Sequence, residues 1–407
     1  MYKLFLLTIL FLQLVTPSVE AAAKAAFLRD GNIWTLIDQK EQQITDSGNA
    51  FAKPQWSPDG KRLMYQLQTP SEFEQNELQV EVWTYHVDTG EKKKIFYDGY
   101  SPTWSPKEDL IAFNAKGILN ISDTQQFYNV ATGVNSYVWL PDGSGFLLSS
   151  SGVLRPDGWT SAILFKKKVA KPFEDVVLFG GSKEFLTLPK ELGISNNKIP
   201  AIYAGDFEYS PSGKWISFTV SPTASLSMDS NMLCVISDEG SRFEVLDEVI
   251  FEVGKPKWAP SEDTLAFIAG GGRIVFGFKN KDLKVKEMPA NGTYTPEKYA
   301  DVDFDWVSNR SIVTSRIEEK EWSNDFANHP LPSLTFINID TKEQRQITNS
   351  PEGFGDYQPQ YVKSIDKIIW LRGKSITDEN RTLWSANPDG SSAQKWIDNV
   401  DAIVFYD

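Results

Sequence analysis

Three aspartates alternate along one short stretch, Asp301, Asp303 and Asp305, with Val302 and Phe304 between them. A period of two puts all three on one face of an extended strand. Asp303 and Asp305 stand three and one residues before Trp306, and Asp206 and Glu208 stand at the same offsets before Tyr209. Other polar pairs occupy these offsets before other aromatics: Lys53 and Gln55, Ser101 and Thr103, Lys255 and Lys257, Gln358 and Gln360. Paired carboxylates can share the work of glycoside hydrolysis when their separation is fixed. They can also give oxygens to Ca²⁺, but that ion wants six to eight, and strands supply fewer than loops. The same residue types suit a polar wall of mixed charge that binds a ligand without chemistry.

Other catalytic sets are missing. The chain has two histidines, His86 and His329, which excludes a multi-histidine metal centre. No G-x-S-x-G nucleophile elbow occurs, and no hydrolase domain follows the repeats. The sialidase order S-x-D-x-G-x-x-W is absent, and Gly270-Gly271-Gly272 reads as a hairpin turn rather than a phosphate loop. Cys234 is the one cysteine, set in an apolar run, and reads as a buried structural thiol. A net charge of −13 argues against nucleic acid or an anionic membrane surface as partner. No cofactor is expected, Ca²⁺ at the acidic set being the one metal the residue types allow.

The elements that must position these side chains come from a repeat. The stretch 51–66, FAKPQWSPDGKRLMYQ, reads as strand, tight turn and strand. Pro58 presets φ, Asp59 can bond its own backbone, and Gly60 takes a conformation that a Cβ would forbid. The aromatic before the turn recurs at Trp56, Trp104, Trp139, Tyr209, Trp258, Trp306 and Tyr361. Successive separations are 48, 35, 70, 49, 48 and 55 residues. A period of 40 to 50 residues with four short strands per unit is the pattern of a β-propeller.

Each unit is read as strands a to d from inside to outside, with the aromatic ending strand a. Strand c is expected at 82–87, 117–121, 160–165, 231–236, 273–278, 333–339 and 382–386. Residues 25–28, 32–37 and 42–45 look like strands b, c and d without an a. Residues 401–406 look like an a with nothing after it. Together the termini make one composite blade, which closes the ring and removes open edges. The count is eight four-stranded blades, or seven if the unit at Trp139 or Tyr361 is not a full blade.

Residues 1–23 read as a secretory signal: Lys3, an apolar core over 4–15, and small residues for cleavage at Ala21, Ala22 and Ala23. No later stretch reaches the length of a membrane span. The rest, 24–407, reads as a single exported propeller domain and a monomer. The 70-residue separation calls for an insertion near 182–202, and a smaller one at 318–332 carries Trp322, Phe326 and His329 as loop binding candidates.

WSPDGKRLMY and its degenerate copies, with Gly31-Asn32-Ile33-Trp34, resemble the TolB-like, WD-type (WD40-like) propeller repeat. The resemblance covers nearly the whole chain after the signal. It implies a propeller of the periplasm or the extracellular space that works as a protein–protein interaction module, binding partners at the channel mouth. The chain departs from TolB itself, which has six blades after a separate α/β domain, so TolB's partners are not carried over. The expected function is an exported, non-catalytic module for an envelope or extracellular protein, or a polysaccharide. The alternatives are a carbohydrate-active hydrolase or lyase using the channel carboxylates, and a structural spacer.

Overall fold

The computed structural model describes residues 23–194, 197–288, 290–378 and 380–407. The segment read as a signal falls outside this range up to residue 22. The chain forms eight four-stranded antiparallel sheets, almost all β. Blade one contains Gln55–Trp56, Arg62–Pro70, Leu78–His86 and Lys92–Phe96. Blades two to seven repeat the order, with strand a at Tyr100–Trp104, Ser136–Trp139, Tyr203–Tyr209, Lys257–Trp258, Tyr299–Ser308 and Gly355–Val362. Blade eight joins the termini: Ala402–Phe405 pairs with Lys24–Arg29, followed by Asn32–Ile37 and Lys40–Gln43.

The core lies between blades. Eight apolar clusters form, one at each seam. Alternate residues of a strand face opposite neighbours, so Leu63 and Tyr65 pack toward blade eight while Met64 packs toward blade two. Central strands buried on both faces therefore lose polar alternation, and Asn231–Ser237 is buried at every residue.

The repeated turn works as its residues require. Ser57 O accepts from Gly60 N at 2.8 Å, and Asp59 accepts from Ser57 Oγ at 2.7 Å and from Lys61 N at 3.0 Å. Gly60 has φ +66°, and a Cβ there would stand 2.6 Å from the Tyr406 ring.

The strand a tryptophans join neighbouring blades. The Trp56, Trp104, Trp258 and Trp306 indoles donate backward to Val404 O, Gln55 O, Glu208 O and Lys257 O, at 3.4, 3.3, 3.2 and 3.0 Å. The buried Trp139 indole nitrogen meets no protein acceptor. Phenylalanine at 306 is therefore expected to cost about 1 kcal/mol more than phenylalanine at 139, because only the first change orphans a carbonyl. Urea midpoints of the two variants test this; equal losses would remove the stitch from the account.

Two strand c expectations shift. In blade three the strand runs Ile163–Lys168 rather than 160–165. In blade five it is Asp282–Glu287, not 273–278. The apolar run Ile274–Phe276 makes a single 3₁₀ turn, and the three glycines open a long connection between strands b and c rather than a hairpin turn. The stretch 182–202 divides. Ser182–Thr187 is the outer strand of blade three, and Glu191–Ile194 pairs with Asn197–Pro200 as a separate hairpin.

Candidate functional site: the channel mouth

Strand a is the innermost edge of every blade, and its last four residues follow one plan. The aromatic packs into the seam with the preceding blade. Residues one or three places before it line two adjoining cavities in blades one and four to seven, whereas Val138 of blade three packs into the seam with blade four. The residue two places before is Pro54, Pro102, Pro256 or Pro359 in four blades. A proline without an N–H is tolerated on an edge and blunts it against stray pairing. In blades two, four and seven the third place, Ser101, Asp206 and Gln358, is left-handed, with φ +49°, +49° and +51°. The ladder slips there, between Tyr100 and Thr103, Gly205 and Glu208, and Tyr357 and Gln360.

One side of the mouth gathers most of the expected residues. Lys53, Lys255, Lys257, Asp303, Asp305, Gln358 and Gln360 line one cavity of about 680 Å³. Asp206 and Glu208 line an adjoining recess that shares Lys255. Lys257 Nζ donates to Phe304 O at 2.6 Å and to Asp305 at 3.0 Å, and Lys255 Nζ meets Asp206 at 2.7 Å. Asp305 also accepts from Tyr361 N at 2.9 Å, tying blade six to blade seven. Gln55 is not part of that cavity's lining and donates to Pro102 O at 2.9 Å.

The wall perturbs its own charges. Lys53 and Glu208 both keep exposed surface, yet both are enclosed enough by the surrounding wall to lose part of their hydration. Burial, reinforced by the neighbouring Lys257 charge, pushes Lys53 down to about 8, against the pull of Asp303 and Asp305. Burial pushes Glu208 up to about 7, only partly offset by Lys257 and Lys255. Burial also raises Asp303, while Asp305 and Asp303 together outweigh burial and hold Lys257 above its ordinary value.

Because Glu208 takes up its proton more readily folded than unfolded, stability falls as pH rises from about 4.5 to about 7 and stays lower above that. Glu208→Gln removes the penalty. The variant is expected to melt with wild type at pH ~5 and above it at pH ~8. A constant difference across that range would place the Glu208 pKa outside it.

Asp301 does not join this wall. The ladder slips between Asp301 and Asp303, which breaks the period of two. Asp301 turns into the blade, fully buried, and accepts from Arg316 Nε at 2.8 Å, Arg316 Nη2 at 2.9 Å and Thr314 Oγ1 at 2.9 Å. Asp356 does the same in blade seven with Arg372 Nε at 2.6 Å and Trp370 Nε1 at 2.8 Å. Both aspartates stand five residues before the strand a aromatic, directly across from their arginines. That shared offset was the available signal for these pairs, and reading the alternation alone passes over it.

The loop candidates lie apart from the channel wall. Trp322 stacks on Phe278 at 5.8 Å and packs against His329 at 4.3 Å, and His329 Nε2 bonds Ser323 O at 2.7 Å. Phe278 is buried in the seam between blades five and six, so this loop packs over the propeller. Phe326 begins a short 3₁₀ turn, Phe326–Asn328. Among the described residues, no group of three or more His, Cys, Asp or Glu side chains is placed to hold a metal ion. No described helix is long and apolar enough to cross a membrane.

Fold and site together define an eight-bladed propeller with a charged channel mouth. No family model and no curated protein matches the chain. Solved structures do. A eukaryotic initiation factor is 11% identical, with 96% of this chain and 88% of that one covered and a TM-score of 0.58. Dihydro-heme d1 dehydrogenase NirN, solved in complex with DHE, is 11% identical over 96% and 76%, with a TM-score of 0.56. TolB from Acinetobacter baumannii is 12% identical over 95% and 66%, with a TM-score of 0.39. At these identities the likeness is one of fold. The likeness to the TolB-like repeat is one of motif alone.

Proposed function

We propose that this chain is an exported, non-catalytic propeller that binds a protein partner of the cell envelope or extracellular space at its channel mouth. The carrying observation is the cavity in which Lys53, Lys255, Lys257, Asp303 and Asp305 converge from separate blades. Such a wall presents both charge signs at fixed positions and selects a partner by complementarity. Export rests on the segment 1–23. The resemblance to the TolB-like repeat supports an interaction role.

A cross-linking pull-down from envelope extract tests this, with the Asp206→Asn, Glu208→Gln, Asp303→Asn, Asp305→Asn variant beside wild type. A protein captured by wild type and lost in the variant supports binding at the mouth. Capture by both sends the interaction elsewhere on the surface.

One observation favours a second reading. A carboxyl held near 7 beside carboxylates of different environment is how acid and base roles are divided in glycoside hydrolysis. Hydrolysis or elimination on a polysaccharide panel, abolished by Glu208→Gln alone, would establish a carbohydrate-active enzyme. A panel without activity would retire it.

A further inference from the structure

A second cavity lies on the face formed by the loops entering strand a, over blades one to three, and shares no lining residue with the charged cavity. It measures about 860 Å³ and spans blades one to three, from Ser71 to Ser151. Its rim is built rather than loose. The blade one loop closes through Ser71 N to Glu77 O at 2.8 Å, and Ser71 Oγ accepts from Phe73 N and Glu74 N at 3.2 and 3.0 Å. This turn thrusts Phe73 outward, 70% exposed, edge-on to Tyr97 at 4.9 Å. Tyr97 is 41% exposed but stacks on Phe96, a member of the core, at 4.6 Å. Tyr100, 40% exposed, completes an aromatic wall. The floor is tied by Asn114, which accepts from Gly117 N at 2.9 Å and donates to Val134 O at 2.8 Å.

Three carboxylates, Glu74, Glu77 and Asp98, share the cavity with one ammonium, Lys116. Lys116 is paired with Glu74 at 2.9 Å. Two negative charges are left facing the groove. Asp98 is fixed by accepting from Val80 N at 3.2 Å.

We propose that this groove binds a cationic peptide, an extended segment of a partner protein that carries Lys or Arg between apolar side chains. Such a segment uses every part of the wall. Its cations neutralise Glu77 and Asp98 and lie against the Tyr and Phe rings. Its apolar side chains cover Phe73 and the exposed Leu78. A neutral oligosaccharide would use the rings and leave the charge uncompensated. A divalent cation would use the charge and leave the rings idle. Glu77 also lies against Glu74, whose hydrogen bond and charge raise the pKa of the Glu77 carboxyl, so a cation arriving here relieves a repulsion between like charges.

The test is fluorescence anisotropy with the full chain and a labelled peptide of alternating arginine and leucine. Because the whole protein is acidic, a charge-matched control is needed. Glu77→Gln/Asp98→Asn is expected to weaken binding at least ~10-fold and Phe73→Ala about 5-fold, whereas Glu239→Gln/Glu343→Gln stays within about 2-fold. Asp303→Asn/Asp305→Asn leaves binding unchanged, which keeps the result separate from the channel reading. Equal losses in the groove and control pairs would overturn the proposal, as would an absence of saturable binding. A labelled neutral hexasaccharide that binds and is lost with Phe73→Ala, where the peptide fails, would overturn it in favour of a glycan.

Discussion

Removal of residues 402–407 is expected to cost on the order of 5 kcal/mol or more and to abolish a single cooperative melt. The segment is short but carries many contacts. It forms the innermost strand of blade eight against Ala25, Ala26, Phe27 and Leu28. Ile403, 1% exposed, belongs to the seam with blade seven. Val404 O accepts the Trp56 indole, Tyr406 N donates to Lys24 O at 2.7 Å, and the Asp407 carboxylate accepts from Lys363 N and Ser364 N at 2.7 and 2.6 Å. Truncation opens the ring and bares the inner edge of Lys24–Arg29. Scanning calorimetry of the truncated chain, with and without the missing segment as a free peptide, checks this. A melting temperature within about 2 °C of the full chain would show that closure contributes little.

Asp301→Ala is expected to destabilise by about 3–5 kcal/mol, because it leaves the buried Arg316 guanidinium without its counter-charge. It also leaves the Thr295 hydroxyl, which donates to Asp301 at 2.6 Å, without that acceptor. Replacing both partners by apolar groups, Asp301→Leu with Arg316→Met, is expected to recover most of the loss. Urea unfolding of the two variants separates a buried-charge penalty from a packing penalty. Equal destabilisation would assign the cost to shape. The same contrast at Asp356 and Arg372 offers a second trial in an independent blade.

The blades were legible because their turn is chemical. Ser57-Pro58-Asp59-Gly60 and its copies specify a backbone path locally, so even decayed versions mark the end of strand a. Composite closure was legible for the same reason, as three strands without an inner partner at one end met one spare strand at the other. Counting back from the aromatic leads to Lys257, Asp303 and Asp305, and also to Asp206 and Gln358, where the ladder slips. Asp301 was not legible, since the slipped register between it and Asp303 depends on a cross-strand arginine fifteen residues away. Strand c of blade five hid behind its lysines. Lys284 and Lys286 point to Asp247 and Glu244 of blade four at 2.7 and 2.8 Å, so a strand with one charged face lost to an apolar 3₁₀ turn in the sequence. The groove over blades one to three escaped because its residues come from three repeats and share no spacing.

The left-handed residues of strand a have a consequence for how such a protein can diverge. Ser101, Asp206 and Gln358 show that this backbone place accepts a hydroxyl, a carboxylate or an amide. Asparagine, aspartate and glycine enter such a conformation at little cost, while β-branched residues do not. Asp206 and Gln358 open onto the mouth and Ser101 onto the groove over blades one to three, and none of the three belongs to a seam. Mutation can therefore change the charge these places present one blade at a time, and the fold is not put at risk with each step.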